Sequence, residues 1–315
     1  MKRREFLSVA SLAMATGALN PVLGAATRKP LGIEMFSIPK LAEKDLRGTL
    51  ALMAGMGYTQ VQFYGPFDFT PAETIAAWKA LAPQLGFSGS GLYGQSVKQV
   101  KAILDENRLA APSLHTALET LEQAMVPLAE TAHGLGTKYV ILPAIPAEKR
   151  KSLDDYKRMA DTFNNIGESA RKQGVKFGYH NHGYGWHEME GKIPERLLFE
   201  RTDPKLVYLE MDVFWTSAAG VDPIQLLKDY PARYKQLHLK DMKERRQFKG
   251  DGGDPGQWME LFPLMTSAGD GVIDLKGIIA EGKKVGIEEF IVEQDIVADP
   301  QVALKRSADF VSKLL

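Results

Sequence analysis

Metal-competent side chains end four consecutive apolar runs in the second half of the sequence. His180 ends the first of these runs, and Asp212 directly follows the second. His238 lies one residue before the end of the third run, and Glu293 ends the fourth. One such side chain would read as a helix cap or a solvated residue, but four in succession predict a shared site. Two imidazoles and two carboxylates buried together are costly without a cation, so we predict that these four residues bind one metal ion.

The donor set restricts which metal ion the site can hold. The chain contains no cysteine, which excludes a thiolate metal site, a thiol nucleophile and a disulfide framework. Mixed nitrogen and oxygen donors suit zinc, manganese, iron or cobalt better than calcium. Four protein ligands would close a tetrahedral zinc site, so a catalytic ion must expand its coordination to admit substrate oxygens. This requirement slightly favours manganese.

Eight short apolar runs, rich in valine, isoleucine and tyrosine, alternate with longer stretches of helical periodicity. Such alternation predicts repeated strand–helix units and a parallel sheet. Eight units predict a single-domain α/β protein, the (β/α)8 or TIM barrel, in which catalytic groups lie at the carboxyl ends of the strands. An additional helix at 71–85 and a glycine-rich loop at 86–94 are predicted as an insertion. The predicted strands are 31–36, 60–64, 110–115, 139–142, 176–180, 206–211, 234–239 and 289–293.

The first 26 residues predict an export signal. Arg3 and Arg4 precede Phe6 and Leu7, after which a weakly apolar stretch leads to small residues at 24–26. This pattern resembles the twin-arginine signal, which implies folding in the cytoplasm and export of the folded protein, for example to the periplasm. The stretch is too short to span a membrane, so no stable membrane insertion is expected. An ordinary Sec leader and an N-terminal amphipathic helix are the alternatives; in the preferred interpretation, residues 27–315 form the barrel domain.

The charge distribution disfavours a nucleic acid as a partner. Basic and acidic residues each number 39, and the aromatic residues are scattered with no basic stripe among them. Affinity for nucleic acids comes mainly from clustered positive charge that neutralises phosphates. A small molecule is therefore the expected partner.

Four short motifs stand out along the chain. They are Gly57-Tyr58, Leu237-His238-Leu239-Lys240-Asp241, Gly269-Asp270-Gly271-Val272-Ile273-Asp274 and Val292-Glu293-Gln294-Asp295. Together with the order of the strand ends, these motifs resemble the xylose-isomerase-like barrel superfamily. More narrowly, they resemble its exported members known as sugar phosphate isomerases/epimerases. The resemblance implies that Asp212, His238 and Glu293 are metal ligands and that the substrate is a small carbohydrate.

The chain departs from the family pattern at the end of the fifth strand. Epimerases of the superfamily have a glutamate there, whereas this chain has His180, with His182 as its competitor for the metal. The symmetrical pair of glutamates that moves a proton across one carbon is therefore lost. Glu293 remains as a candidate base, and His182 or Lys240 could serve as the complementary acid. The metal would stabilise the enediolate formed when the base removes a proton next to a sugar carbonyl.

This site predicts three functions in order of preference. The first is a metal-dependent sugar isomerase or epimerase. Export indicates that its sugar is unphosphorylated, because sugar phosphates are cytoplasmic metabolites. The second is a metal-dependent lyase that cleaves 3-keto-glycosides by elimination, which an asymmetric base and acid would suit. The third is a non-catalytic exported sugar-binding barrel.

Four further residues are candidates for substrate binding. His115 ends the third predicted strand, and Gln62 occupies a position in the second where relatives often have glutamate. Tyr184 and Trp186 follow the fifth strand and could form an apolar wall for a sugar ring. The structural alternatives are about equally expected: a buried, hydrogen-bonded imidazole for His115 and core packing for the two aromatic rings.

Overall fold

Ten strands are present in the described part of the chain. The computed structural model describes residues 30–295, 297 and 299–315, and the predicted export signal lies outside them. Eight strands form a closed barrel, and the other two form a small antiparallel ribbon. In chain order the strands are β1 (Leu31–Glu34), β2 (Gln60–Tyr64), β3 (Ser113–His115), β4 (Tyr139–Leu142), β5 (Lys176–His180), β6 (Val207–Asp212), β7 (Tyr234–Leu239), β8 (Asp241–Met242), β9 (Met265–Thr266) and β10 (Glu289–Val292).

Closure of the barrel brings the carboxyl ends of all eight strands to one rim. The order around the barrel is β1-β10-β7-β6-β5-β4-β3-β2, after which β2 pairs with β1. Every neighbouring pair in the barrel is parallel. The loops that leave this rim form the open face, where catalytic groups are expected. The predicted (β/α)8 fold is confirmed.

Helices connect the strands and cover the outside of the barrel. They bury the outer face of the sheet, which explains why most residues of the barrel strands are buried. The helices are α1 (Pro39–Lys44), α2 (Leu46–Met56), α3 (Ala72–Leu85), α4 (Val97–Asn107), α5 (Leu118–Gln123), α6 (Met125–Leu135), α7 (Leu153–Lys172), α8 (Pro194–Arg201), α9 (Val213–Ala218), α10 (Pro223–Asp229), α11 (Pro255–Leu261), α12 (Leu275–Val285) and α13 (Pro300–Leu314).

The eight predicted runs all contain barrel strands, with small differences at their ends. The first strand is shorter than predicted because Met35–Ser37 forms a 3₁₀ helix. The third is regular only from Ser113, after an isolated bridge between Gln60 and Ala110. The predicted insertion is present as α3 followed by an irregular loop.

Helix α7 illustrates how local sequence signals set the ends of an element. The Ser152 hydroxyl accepts a hydrogen bond from the Asp155 backbone N–H, and the Asp155 carboxylate accepts one from the Ser152 N–H. Beyond the other end, Gly174 has a φ of 75°, a left-handed conformation that favours glycine. Between these ends, Met159 and Phe163 are buried toward the barrel. Burial of each such side chain stabilises the fold by about 1.5–3 kcal/mol.

Asp241 ties the segment after β9 to the segment after β7. Its Oδ1 accepts hydrogen bonds from the N–H groups of Met242 and Ile273, at 2.8 and 3.1 Å. Its Oδ2 accepts from those of Gly269 and Gly271, at 2.9 and 3.0 Å. A Cβ on Gly271 would lie 2.2 Å from Oδ1, so this approach requires glycine. We call this arrangement the Asp241 clamp; it joins two of the motifs that carry the family resemblance.

Loss of the Asp241 clamp should destabilise the barrel. We expect Asp241→Ala to lower the free energy of unfolding by about 2–4 kcal/mol, because four backbone donors lose a charged acceptor. Asp270→Ala is the matched control: Asp270 lies in the same segment but makes an exposed ion pair with Arg306, worth about 0–1 kcal/mol. Urea denaturation of both variants measures the difference, and equal stabilities would contradict the structural role of the clamp.

Candidate metal centre

The four predicted metal ligands meet at the carboxyl rim of the barrel. His180 and Asp212 are the last residues of β5 and β6, and His238 is the penultimate residue of β7. Glu293 directly follows β10. Strand pairing sets Asp212 opposite His238. The four side chains are at most 8% exposed, so they form a buried cluster at the base of the open face.

Asp212, His238 and Glu293 direct donor atoms into a common centre, and His180 approaches that centre on the side of Asp212. The Nδ1 of His238 is 2.5 Å from Glu293 Oε2, and the Nε2 of His180 is 3.7 Å from Asp212 Oδ2. Asp212 Oδ1 accepts a hydrogen bond from the Trp215 N–H at 2.9 Å, whereas Oδ2 is buried without a hydrogen-bond partner. Donor atoms of Asp212, His238 and Glu293 all lie within 4.8 Å of one another. A buried carboxylate oxygen that makes no hydrogen bond, among imidazoles and other carboxyl groups, fits a transition-metal ion.

Lys240 supplies the positive charge at this centre. Its Nζ lies 3.1 Å from Asp212 Oδ2, 3.0 Å from Glu293 Oε2 and 2.9 Å from Asp295 Oδ2. Burial alone would lower the pKa of Lys240, but the charges of Asp212, Asp295 and Glu293 outweigh burial and raise it well above the ordinary value. Lys240 is therefore an ammonium ion that is paired with the carboxyl groups around it.

The two carboxyl groups after β10 differ in their protonation. Burial would raise the pKa of Glu293, but Lys240 and His238 hold it well below the usual range. Burial and the neighbouring charge of Glu293 raise the pKa of Asp295 well above its usual range. Glu293 is thus the ionised member of the pair, as a general base must be.

Glu210 lies one step deeper in the barrel and was not among the predicted site residues. Its Oε1 is 2.7 Å from His115 Nε2, 2.9 Å from His180 Nδ1 and 2.9 Å from His238 Nε2. Burial would raise the pKa of Glu210, but His238 and His115 hold it well below the usual range. The sequence did carry a signal, because side chains two residues apart on a strand face the same side, and Asp212 faces the interior.

Gln62 and His115 lie beside this carboxylate. Gln62 is completely buried; its Oε1 accepts from His238 Nε2 at 2.6 Å, and its Nε2 donates to Ser113 and Glu210 at 2.7 and 2.9 Å. The His115 ring stacks on that of His238, with centroids 5.3 Å apart. Their polar atoms are engaged inside the protein, which corresponds to the hydrogen-bonded alternative for His115.

His182 is close to the centre but is oriented differently from His180. Its Nδ1 donates to the Pro143 carbonyl at 2.6 Å, which leaves Nε2 as an acceptor. Its ring lies 4.8 Å from that of His180 and 5.1 Å from that of Trp258. Burial, then the charges of His180 and Lys240, lower the pKa of His182 well below its ordinary value. A neutral imidazole accepts protons, so the geometry leaves Lys240 as the better of the two predicted acids.

Tyr184 and Trp186 belong to the packing beneath the loop after β5. The Tyr184 hydroxyl accepts from the Ile145 N–H at 2.7 Å, and the Arg150 guanidinium lies 4.0 Å from its ring centroid. Trp186 packs edge-on against Phe199. Tyr184 and Trp186 are only 1% and 8% exposed, so the structure does not bring these two rings together with the imidazoles as a sugar-binding wall. Core packing, the alternative for both, describes them.

Glu34 is another buried carboxyl group that the sequence analysis did not select. It ends β1, and its Oε1 accepts a hydrogen bond from the Phe36 N–H at 3.2 Å, whereas Oε2 has no partner. Burial and the charge of Glu293 raise the pKa of Glu34 well above its usual value. The predicted first strand extended to residue 36, so Glu34 was not recognised as the end of a strand.

The fold and the strand-end cluster can be compared with those of known proteins. A sequence profile for the family described as the xylose isomerase-like TIM barrel matches residues 50–314, most of the chain. The chain belongs to this family. The resemblance expected from the sequence motifs is thereby confirmed.

Curated relatives of this xylose isomerase-like barrel include dehydratases. An inosose dehydratase of Clostridium tetani is 31% identical over 184 residues, which are 56% of this chain and 60% of that protein. For three inosose dehydratases the aligned share of the relative is 46%, 60% and 66%, so the chain spans less than two thirds of their length.

Solved structures share the same fold. A sugar phosphate isomerase/epimerase from Parabacteroides distasonis has a TM-score of 0.72 and 22% identity, and the match covers 94% of this chain and 97% of that one. The protein IOLI, solved with a bound zinc atom, has a TM-score of 0.66 and 16% identity, over 91% and 98% of the two chains. At such identities the likeness concerns the fold.

Among the described helices of this xylose isomerase-like barrel, none is long and apolar enough to cross a membrane.

Removal of a predicted ligand should empty the centre of metal. We expect His180→Ala and Asp212→Ala each to lower the metal content at least tenfold, since loss of a ligand should cost no less than the roughly 10–100-fold attributed to second-shell partners. Metal content is measured by mass spectrometry after loading with manganese or zinc and gel filtration. His187→Ala, an exposed histidine outside the cluster, is the control and should retain the wild-type content. Equal occupancy in all three variants would contradict the assignment.

Proposed function

We propose that this barrel is a metal-dependent lyase that removes water or an alcohol from a small, unphosphorylated, sugar-like ring ketone. The observation that carries the proposal is the contact of Glu293 Oε2 with Lys240 Nζ at 3.0 Å. It sets an ionised carboxylate base beside an ammonium acid, the pairing that an elimination needs. The relatives named inosose dehydratases support the same class of reaction. Sugar isomerisation, preferred from the sequence alone, becomes the second candidate.

The proton transfers of an elimination balance on these two side chains. The Glu293 carboxylate removes the proton next to the carbonyl, and the electrons of that C–H bond form the new C=C bond. The bond from the β-carbon to its oxygen breaks, and the leaving oxygen takes a proton from Lys240 Nζ. The proton on Glu293 then returns to the Lys240 amine across their 3.0 Å contact, which restores both groups. Asp295, at 2.9 Å, holds Nζ in place.

A bound ion would complete this chemistry. His180, Asp212, His238 and Glu293 would hold it, and their mixed donors suit manganese, zinc, iron or cobalt, with manganese slightly favoured. A divalent ion there acts as a Lewis acid that stabilises negative charge on the substrate's carbonyl oxygen. Glu293 has two carboxylate oxygens, so one can bind the ion while the other receives the proton.

Isomerisation is retained because of Glu34. This buried carboxyl group has one oxygen without a hydrogen-bond partner. The charge of Glu293 contributes to its raised pKa, so Glu34 is protonated beside an ionised carboxylate. A protonated and an ionised carboxyl group can together move a proton between neighbouring carbons.

The absence of a phosphate from the proposed substrate rests on the export signal predicted in residues 1–26. We propose that the folded protein is exported by the twin-arginine route and acts on carbohydrates outside the cytoplasm. Cleavage of the leader, shown by N-terminal sequencing of protein from the periplasm, is the expected outcome.

Incubation of the metal-loaded protein in deuterated water separates the two reactions. The substrates are a cyclic polyhydroxy ketone, a 3-keto-glycoside and a free ketose, with products followed by NMR. We expect a new C=C bond together with release of water or the alcohol. Deuterium incorporated into an intact skeleton would instead indicate isomerisation, and no change in any substrate would contradict a carbohydrate-modifying activity.

Substitution of Lys240 tests its role as the acid. We expect Lys240→Met to lower kcat by about 10²–10⁴-fold, the usual contribution of general acid catalysis, with metal content retained. Lys249→Met is the matched control because Lys249 is exposed and pairs with Glu260 on the surface. An unchanged kcat in Lys240→Met would show that Lys240 is not the acid of the reaction.

A further inference from the structure

The Glu210 carboxylate lies at hydrogen-bond distance from three imidazoles. Its Oε1 lies 2.7–2.9 Å from a ring nitrogen of His115, His180 and His238. Its Oε2 accepts a hydrogen bond from Gln62 Nε2 at 2.9 Å. Glu210 is 1% exposed, so these four contacts replace the water that a carboxylate would otherwise bind. All four neighbours must therefore act as donors toward Glu210.

The described residues offer two alternative positions for a metal ion. One lies among Asp212, His238 and Glu293, and the other among His115, His180, Glu210 and His238. His238 has a ring nitrogen in both groups; His180 belongs to the second, and its other nitrogen, Nε2, lies 3.7 Å from Asp212 Oδ2 of the first. An imidazole that binds a metal ion does so through one bare nitrogen and keeps its other N–H, so each ring can serve only one position at a time.

The contact distances assign the two positions different roles. Around Glu210 the nitrogens already lie at hydrogen-bond distance from the carboxylate oxygen, 2.7–2.9 Å. The three ring nitrogens converge on this one oxygen, so Glu210 Oε1 itself occupies the point where an ion would have to lie. At the other position, Asp212 Oδ2 is buried without a hydrogen-bond donor, and the cation Lys240 lies 3.1 Å away. The position among Asp212, His238 and Glu293 is therefore the one suited to a cation.

We propose that Glu210 is a positioning residue that fixes the tautomers of His180 and His238 and so directs their bare nitrogens toward the metal position. This inference rests on the metal centre assumed in the proposed function. His180 donates from Nδ1 to Glu210, which leaves Nε2 for the ion. His238 faces Glu210 and Gln62 Oε1 with Nε2, both acceptors, which leaves Nδ1 for the ion on the side of Glu293.

The positioning role requires the ionised carboxylate of Glu210 and not only a side chain of the same shape. Because both of its oxygens accept hydrogen bonds, an amide in its place must turn an NH₂ group toward a donor. That NH₂ group would meet either the three imidazoles or Gln62 Nε2. At least one imidazole must then change its tautomer or Gln62 must move. A carboxylate hydrogen-bonded to a ligating histidine also raises the ligand's basicity, and its loss typically costs about 10–100-fold in metal affinity.

Titration with cobalt(II) tests the proposal, because its visible absorption reports the donor atoms bound to the ion. We expect Glu210→Gln to bind cobalt about 10–100-fold more weakly than wild type with unchanged absorption bands. Glu195→Gln is the matched control: Glu195 is equally buried but hydrogen-bonds Tyr179, and it should leave the affinity unchanged. Asp212→Asn should shift or abolish the bands, since Asp212 is a proposed ligand.

Two results of the cobalt titration would overturn the positioning role while leaving the proposed function intact. One is an affinity in Glu210→Gln equal to that of Glu195→Gln. The other is a shifted or abolished spectrum in Glu210→Gln, which would make Glu210 a ligand. No cobalt binding by the wild-type protein would instead contradict the metal centre itself, and the inference with it.

Tautomers measured in the zinc-loaded wild-type protein test the proposal without any variant. Long-range ¹H–¹⁵N NMR should show His180 protonated at Nδ1 with zinc at Nε2, and His238 protonated at Nε2 with zinc at Nδ1. The reverse pattern in both rings would locate the ion beside Glu210 and overturn the proposal.

Discussion

The rest of the structure depends on three buried carboxyl groups around the ammonium of Lys240. Asp212, Glu293 and Asp295 all lie within 3.1 Å of Lys240 Nζ. A buried charge that loses its hydration opposes folding unless it is paired. Lys240 provides that pairing within the chain, and a divalent metal would share the same carboxylates. Folding of the barrel and binding of an ion therefore use one set of charges.

Barrel geometry arranges the polar interior in two layers. Side chains two residues apart on a strand face the same side, so Glu210 and Asp212 both point inward from β6. The upper carboxylate faces Lys240, and the lower one receives hydrogen bonds from imidazoles. Each of His180 and His238 spans both layers with its two ring nitrogens. The ring nitrogen that carries a proton toward Glu210 therefore determines which nitrogen of each ring faces Asp212 or Glu293.

Much of the fold could be predicted because its signals are local and repeated. Eight apolar runs alternate with helical stretches, and each run contains a barrel strand. The site was predictable where a polar residue interrupts an apolar run at its end, as with Asp212 and Glu293. Parallel closure then brings such residues together, which requires no knowledge of the packing.

The remaining features depend on packing between distant segments. Glu210 has its role only because three imidazoles from other strands converge on it. Glu34 was hidden by a strand that ends earlier than its apolar run does. Tyr184 and Trp186 follow β5, as a sugar-binding wall would, yet the loop turns their rings into the core. Sequence position shows which loop carries a ring but not which way the loop folds.

The segment 243–264 joins the barrel through two fixed points. The β8–β9 ribbon pairs its ends, and the Asp241 clamp anchors the chain just beyond β9. Between these points, the Gly253 carbonyl accepts a hydrogen bond from Arg150, and the Trp258 ring packs against His182. The two ends of the segment, its stem, are thus anchored separately from its middle, the tip. Residues at the tip contact His182, whereas Lys240 and Glu293 are held by the barrel strands and by one another.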